Sequence, residues 1–141
     1  MTFNEKMAWV MVGALLSASA VFFFILLNVS TSLETVPMPV VLIGLVIFVA
    51  IIVIIATVGA TIAALSNVED ANSAKDERDI IFALKASHAG SVVTGLSLLA
   101  TCSIYFMGAR ASDMLLGIIA ALILGQLAEY MAQIFYYRRN N

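Results

Sequence analysis

Two side chains in this sequence have the chemistry to move a proton inside an apolar stretch, Glu129 and His88. Glu129 is the one carboxylate well inside an apolar run, and it precedes Tyr136 by about 10 Å of helix rise. Imidazole titrates near neutral pH, and an ionisable group in lipid is costly enough to suggest a function. His88 or Lys85 is the expected partner of Glu129, and a His88–Glu129 pair predicts a proton relay or a pH sensor.

The alternative interpretation of Glu129 is structural. A neutral or ion-paired Glu129 could bond Gln126, Gln133 or a hydroxyl group and so lock neighbouring helices together. The sequence leaves both interpretations open.

Other site chemistry is poorly supported by the sequence. One histidine and one cysteine, Cys102 in a different part of the apolar sequence, do not form a cluster with metal-ligand spacing. No serine or cysteine occurs with a base and an orienting acid in a pattern typical of a nucleophile. We therefore predict no catalytic residue, no cofactor site and no metal site.

The elements that would position these side chains follow from composition. Of 141 residues, 62% are hydrophobic and 11% charged, too few charges to cover a soluble domain of this size. Four apolar runs, 7–29, 40–65, 86–107 and 114–136, each exceed the roughly 20 residues that cross a bilayer. Backbone polar groups in lipid must bond within the segment, so each run is predicted to be a helix.

The predicted fold is thus all-α: an integral membrane protein whose four transmembrane helices form one up-and-down bundle. It is a single domain, 1–141, with helices at about 7–29, 40–65, 74–107 and 114–137 and a cytoplasmic loop at 66–75. Lysine and arginine favour the cytoplasmic side of a membrane. With four crossings both termini share one side, and six of the seven basic residues lie on that side: Lys6, Lys75, Arg78, Lys85, Arg138 and Arg139. Arg110 lies on the other side. Both termini are therefore predicted to be cytoplasmic, and the membrane is predicted to be the inner (cytoplasmic) membrane.

Helix 3 carries a stripe of small and hydroxylic residues at intervals of three or four, headed by two carboxylates. Its members are Asp76, Asp79, Ala83, Ser87, Gly90, Thr94, Ser97 and Thr101. The stripe is either a packing seam against another helix or the lining of a polar pathway. Helix 4 has a matching stripe of small residues, Gly117, Ala121, Gly125, Ala128 and Ala132. The two stripes and the short connection predict a close antiparallel hairpin.

Three further local predictions concern the other segments. Ser73 followed by Asp76 fits a capping box, so helix 3 is predicted to begin near Ala74, with acidic residues in its first turns. In helix 2, residues 56–63 contain small residues suited to close helix approach. The aromatic run 22–24 in helix 1 is predicted to face lipid.

The start of helix 3 resembles a motif of known proteins. Asp76-Glu77-Arg78-Asp79, followed by Phe82 and by Lys85-Ala86, is similar to a pattern in a family of small, uncharacterised membrane proteins of bacteria and archaea. In that family the pattern lies where a cytoplasmic loop enters a spanning helix, and isoleucine is commoner at the position of Phe82. The resemblance covers about twelve residues. It implies a prokaryotic origin.

The leading functional hypothesis is a non-enzymatic accessory or regulatory membrane protein. On this interpretation the helix start 76–85 is an exposed surface that docks a partner, and Arg78 and Asp79 contact that partner or the central loop. The second hypothesis is a small transporter or proton-linked channel, in which Glu129 and His88 face a water-filled cavity. A cavity that reaches Glu129 from one side would favour it.

The third hypothesis is a membrane-embedded enzyme acting on a lipophilic substrate, which needs a lateral opening beside Glu77, Arg78, Lys85 or His88. The expected partners are membrane lipids, a second copy of the chain in a homo-oligomer, most simply a dimer, and a cytoplasmic or membrane protein. A net charge of −2 does not indicate nucleic acid.

Overall fold

The fold is all-α, as the apolar runs predict. A computed structural model of the protein describes residues 3–30, 37–66 and 77–139. Within these ranges the chain forms four helices and no strand: α1 (Phe3–Ser30), α2 (Met38–Ser66), α3 (Glu77–Phe106) and α4 (Ala111–Arg139). The predicted loop 66–75 and the predicted helix start near Ala74 lie outside the described residues, apart from Ser66 at the end of α2.

All four helices are long and apolar enough to cross a membrane, so the chain is a multi-pass membrane protein. Mean hydropathy over the spanning windows falls from 3.4 in α2 to 1.5 in α3 and 1.8 in α4. The polar side chains that a membrane tolerates least are therefore concentrated in α3 and α4.

The four helices are arranged in a definite order. α1 packs on α2 and on α4, and α4 packs most extensively on α3. Successive helices are antiparallel, so the first residues of α1 and α3 lie at the same end as the last residues of α2 and α4. We call this end the termini end. α3 has α4 as its main neighbour, and the other described helices leave much of the α3 surface uncovered.

The predicted α3–α4 hairpin is confirmed, and small residues form its seam. A Cβ atom placed on Gly90 would lie 2.8 Å from the Cβ of Glu129 and 2.9 Å from the carbonyl oxygen of Gly125. A Cβ on Gly125 would collide with the hydroxyl of Thr94. This part of the α3 stripe is therefore a packing seam. Its threonine hydroxyl bonds the carbonyl of Gly90 at 2.9 Å, which satisfies the polar group within its own helix.

A tight turn joins α3 to α4. Gly108 adopts a φ of +104°, a conformation that side chains other than glycine rarely accept. Its N–H donates to the carbonyl of Tyr105 at 3.0 Å, and the N–H of Arg110 donates to Asp113 Oδ2 at 3.3 Å at the start of α4. The turn therefore closes the hairpin with its exposed backbone groups bonded.

α1 and α2 also approach closely through a small residue. Gly59 of α2 lies against the side chain of Val10, so close that a Cβ would collide with it, and Ala63 is buried one turn further on. Both belong to the small stripe at 56–63 predicted for this purpose.

The prediction for the aromatic run 22–24 is wrong at its first residue. Phe22 is only 1% exposed and packs against Gly44 and, edge to face, against Phe48 at a ring distance of 6.0 Å. Phe24 is 67% exposed and does face outward. The reason is helical rotation: Phe22 continues a buried line through Leu15 and Ala18, whereas Phe24 is turned about 200° from it.

The seam predicts different outcomes for two glycines of the hairpin. Gly125→Ala should lower the free energy of unfolding by about 1–3 kcal/mol, because the new methyl group overpacks the contact with Thr94. The matched control is Gly95→Ala, since a Cβ at Gly95 meets nothing within 4 Å. Thermal unfolding in a mild detergent measures both. Equal midpoints for the two variants would contradict the seam.

Candidate functional site

A cleft of about 540 Å³ lies between α1, α3 and α4, on the half of the bundle nearest the termini end. It is open to the outside along one side rather than enclosed. Its polar lining consists of Asn4, Asp79, Ser87, Glu129, Tyr130, Gln133 and Tyr137. Its apolar lining consists of Met7, Ala8, Met11, Ile80, Ala83 and Leu84.

The cleft exists because α1 and α3 both pack on α4 without packing extensively on each other. Where these two helices face one another, the lining includes the small residues Ala8, Ala83 and Ser87. Short side chains leave space that a leucine or phenylalanine would fill. Beside the cleft, Ala8 and Val12 of α1 pack on Ile134 of α4 and hold the two helices together.

Glu129 lies at the deep end of this cleft. The backbone of Glu129 lies against Gly90 in the α3–α4 seam, while its side chain lines the open space. The residue is half-buried and, among the described residues, forms no salt bridge. No buried side-chain oxygen or nitrogen of the described residues lacks a hydrogen-bond partner. Since Glu129 itself has no hydrogen bond to a described residue, neither of its carboxylate oxygens is fully buried.

The structure does not bring Glu129 together with the partners expected from the sequence. His88 and Lys85 are exposed on α3 and do not line the cleft. Gly90 is the α3 residue that faces Glu129, and at 100° per residue His88 is turned about 200° away from it. The predicted His88–Glu129 and Lys85–Glu129 pairs are therefore not formed. The two glutamines also differ: Gln133 lines the cleft, whereas Gln126 is exposed outside it.

Asp79 stands at the shallow end of the cleft and links three helices. Its Oδ2 accepts a hydrogen bond from Asn4 Nδ2 of α1 at 3.1 Å. The hydroxyl of the buried Tyr137 of α4 also interacts with the Asp79 carboxylate and with Asn4. Asp79 was expected to meet a partner or the central loop; in the described residues it meets α1 and α4.

An aromatic contact reinforces this junction. The ring of Phe82 stacks on Tyr136 at 6.1 Å and meets Tyr137 edge to face at 5.6 Å. Phe82 is the hydrophobic position of the motif that begins at Asp76. In this chain the position therefore serves the packing of α3 on α4.

A second junction ties the first turn of α1 to the last turn of α4. Glu5 is 3% exposed, and its Oε1 lies 3.7 Å from Nε of Arg138. The guanidinium of Arg138 also lies over the ring of Trp9, 5.4 Å from its centre. One arginine thus makes both an ion pair and a cation–π contact with α1.

The remaining charged candidates lie outside the cleft. Glu77 and Arg78 are exposed in the first turn of α3, as are Lys85 and His88 two turns further on. Asp76 lies outside the described residues. Nothing in the described ranges groups three histidine, cysteine or acidic residues around a point where a metal ion could bind.

Sequence reasoning missed several residues of the site, namely Asn4, Met7, Met11, Tyr130 and Tyr137 as cleft residues and Glu5 as a junction residue. The apolar run that predicts helix 1 begins at residue 7, whereas α1 begins at Phe3, so the run excludes the first turn. A signal was present: Asn4 and Glu5 precede the buried Ala8 by one helical turn. They therefore belong to the face of α1 that meets the bundle.

Comparison of the chain with models of protein families, with curated proteins and with solved structures finds no match. The resemblance at residues 76–86 therefore stays a prediction. What this site does must be inferred from its geometry.

The junction at Arg138 predicts a measurable effect on the single tryptophan. Arg138→Ala should lower the free energy of unfolding by about 1 kcal/mol, the sum of a partly exposed ion pair and a cation–π contact. It should also change the fluorescence of Trp9, because the cation leaves its ring. Arg139→Ala removes the same charge from the neighbouring exposed position and should alter neither. Identical spectra for the two variants would disprove the contact.

Proposed function

We propose that the protein is a small membrane transporter that binds its solute in the cleft, with Glu129 as the binding carboxylate. The observation that carries the proposal is the cleft itself: about 540 Å³ of space, open along one side, that reaches an acid otherwise placed among spanning helices. The volume falls within the range of about 300–1,000 Å³ typical of small-molecule sites.

The free-energy cost of placing the Glu129 carboxyl group within a membrane supports a functional role for it. An acidic side chain near the middle of a spanning helix is retained against a penalty of several kcal/mol unless it is paired or solvated. Glu129 forms no salt bridge with a described residue, and the structural alternative required a bond to Gln126, Gln133 or a hydroxyl, none of which is formed. Its oxygens are instead not fully buried, so a solute or water can reach them.

The proposed orientation has both termini in the cytoplasm of a prokaryotic cell. The termini end contains Lys6, Arg78, Arg138 and Arg139, whereas the opposite end has Arg110, and positive residues favour the cytoplasmic side. The cleft, on the termini half of the bundle, would therefore open toward the cytoplasm. We retain the expectation of a homodimer, because a single copy leaves most of each spanning helix uncovered.

Docking of a regulatory partner is the second candidate function. It is favoured by the exposure of Glu77, Arg78, Lys85 and His88 along the first three turns of α3, none of which is used in the α3–α4 seam. Asp79, which the same hypothesis assigned to the docking surface, is occupied by Asn4. The cleft therefore supports transport more directly than the surface supports docking.

Cysteine accessibility tests the proposed function. In a Cys102→Ala background, Ser87→Cys places a thiol in the cleft, and Met131→Cys places one at similar depth on an exposed, lipid-facing position of α4. A membrane-impermeant maleimide should label the first quickly and from the cytoplasmic side alone, because the reactive thiolate forms only where water is present. The second should react slowly from either side. Equal slow labelling of both would contradict a water-accessible cleft and leave docking as the better candidate.

A further inference from the structure

The cleft has a strong charge imbalance. Its described lining contains two carboxylates, Asp79 and Glu129, and no lysine, arginine or histidine. Asp79 is partly balanced by the amide of Asn4 at 3.1 Å, whereas Glu129 makes no such bond. Apart from tyrosines, the ionisable side chains of the described lining are therefore all acids, and Glu129 at the deep end is the less compensated of the two.

The two carboxylates are too far apart to share a small ion. Glu129 lies against Gly90, which is eleven residues from Asp79 on α3, or about 16 Å of helix rise. Carboxylates that share one metal ion must each lie within about 2.6 Å of it. The spacing instead suits an elongated or bulky ligand whose charge meets Glu129.

The rest of the lining is apolar and polarisable. Met7 and Met11 of α1 and Ile80 and Leu84 of α3 all line the space, and Tyr130 follows Glu129 on α4. Thioethers adapt to irregular apolar ligands, and tyrosine faces attract organic cations. A hydrated inorganic ion would gain little from these groups.

From this combination we propose that the cleft binds a lipophilic organic cation, such as a quaternary ammonium or phosphonium compound. The cationic centre lies against Glu129, and the apolar substituents lie between the methionines of α1 and the aliphatic residues of α3. Asp79 attracts the cation at the shallow end of the cleft. The inference deepens the proposed transport function and rests on it for the identity of the site.

Equilibrium binding of radiolabelled tetraphenylphosphonium to the full chain in a non-ionic detergent tests the ligand class. We expect saturable binding that triphenylphosphine oxide, a neutral molecule with similar aromatic groups, does not displace. Absence of saturable binding would overturn the proposal. Equal displacement by the neutral compound would also overturn it, since the cleft would then be an apolar groove without charge selectivity.

Two pairs of variants localise the binding. Glu129→Gln should weaken it by at least about tenfold, whereas Glu77→Gln, which removes an exposed acid at the start of α3, should leave it unchanged. Ser87→Trp should abolish binding by filling the cleft without changing its charge, whereas Met131→Trp, outside the cleft, should not. The Ser87 pair keeps the test decisive if Glu129→Gln fails to fold. Equal binding by both members of each pair would disprove the site.

Flux measurements separate this inference from the proposed function. In liposomes containing the protein, efflux of preloaded tetraphenylphosphonium beyond that seen with Glu129→Gln is the expected result. Binding without flux would overturn transport while leaving the ligand class intact. Protein-dependent proton flux without tetraphenylphosphonium binding would overturn the ligand class and leave transport standing.

Discussion

The close approach of α3 to α4 at Gly90 and Gly125 is the contact on which the rest of the bundle depends. Helices in lipid gain little from burying apolar side chains, so they associate where small residues allow backbones to touch. The part of the α3 stripe that contains Gly90 and Thr94 forms this seam. It also fixes the rotation of α4, and with it the direction of Glu129. Because the backbone of Glu129 is held against Gly90, its side chain emerges at the edge of the seam, into the cleft.

The same stripe therefore serves two purposes along its length. Over the half away from the termini end it is a packing seam, in which a Cβ on Gly117 would lie 2.5 Å from the side chain of Thr101. Toward the termini end, Asp79, Ala83 and Ser87 line the cleft, and Asp79 also meets Tyr137 of α4. The two interpretations of the stripe, seam and polar lining, thus apply to different turns of one helix.

Polar contacts at the termini end fix the positions of the helices at the shallow end of the cleft. Asn4 and Asp79 join α1 to α3, and Arg138 joins α4 to α1. These contacts lie near the ends of the helices, and each is individually weak. Their value is geometric. Asn4 and Asp79 join α1 and α3, which pack little on one another directly. The separation of these two helices is therefore set by side chains at the shallow end of the cleft.

The sequence predicts the helices well and the site only in part. Long apolar runs identify four spanning segments, and matching small residues identify the hairpin, because both depend on local patterns. Glu129 is recognisable as an unusual acid from its surroundings alone. Its partners are not recognisable in this way. His88 lies at a depth similar to that of Glu129, but it is turned about 200° from Gly90, the α3 residue that faces Glu129. Phe22 shows the same limit: its burial depends on Gly44 of another helix, and no pattern within 22–24 reveals that contact.

The state of Glu129 is the central claim, and difference infrared spectroscopy tests it most directly. Spectra of the wild type and of Glu129→Gln, reconstituted in lipid, are compared as the bulk pH is changed. A carboxyl band that responds to bulk pH and is absent from the variant is the result predicted for an acid in an open cleft. A band that stays constant across the accessible pH range would mean a sealed structural carboxyl group, and it would contradict the proposed role of the cleft.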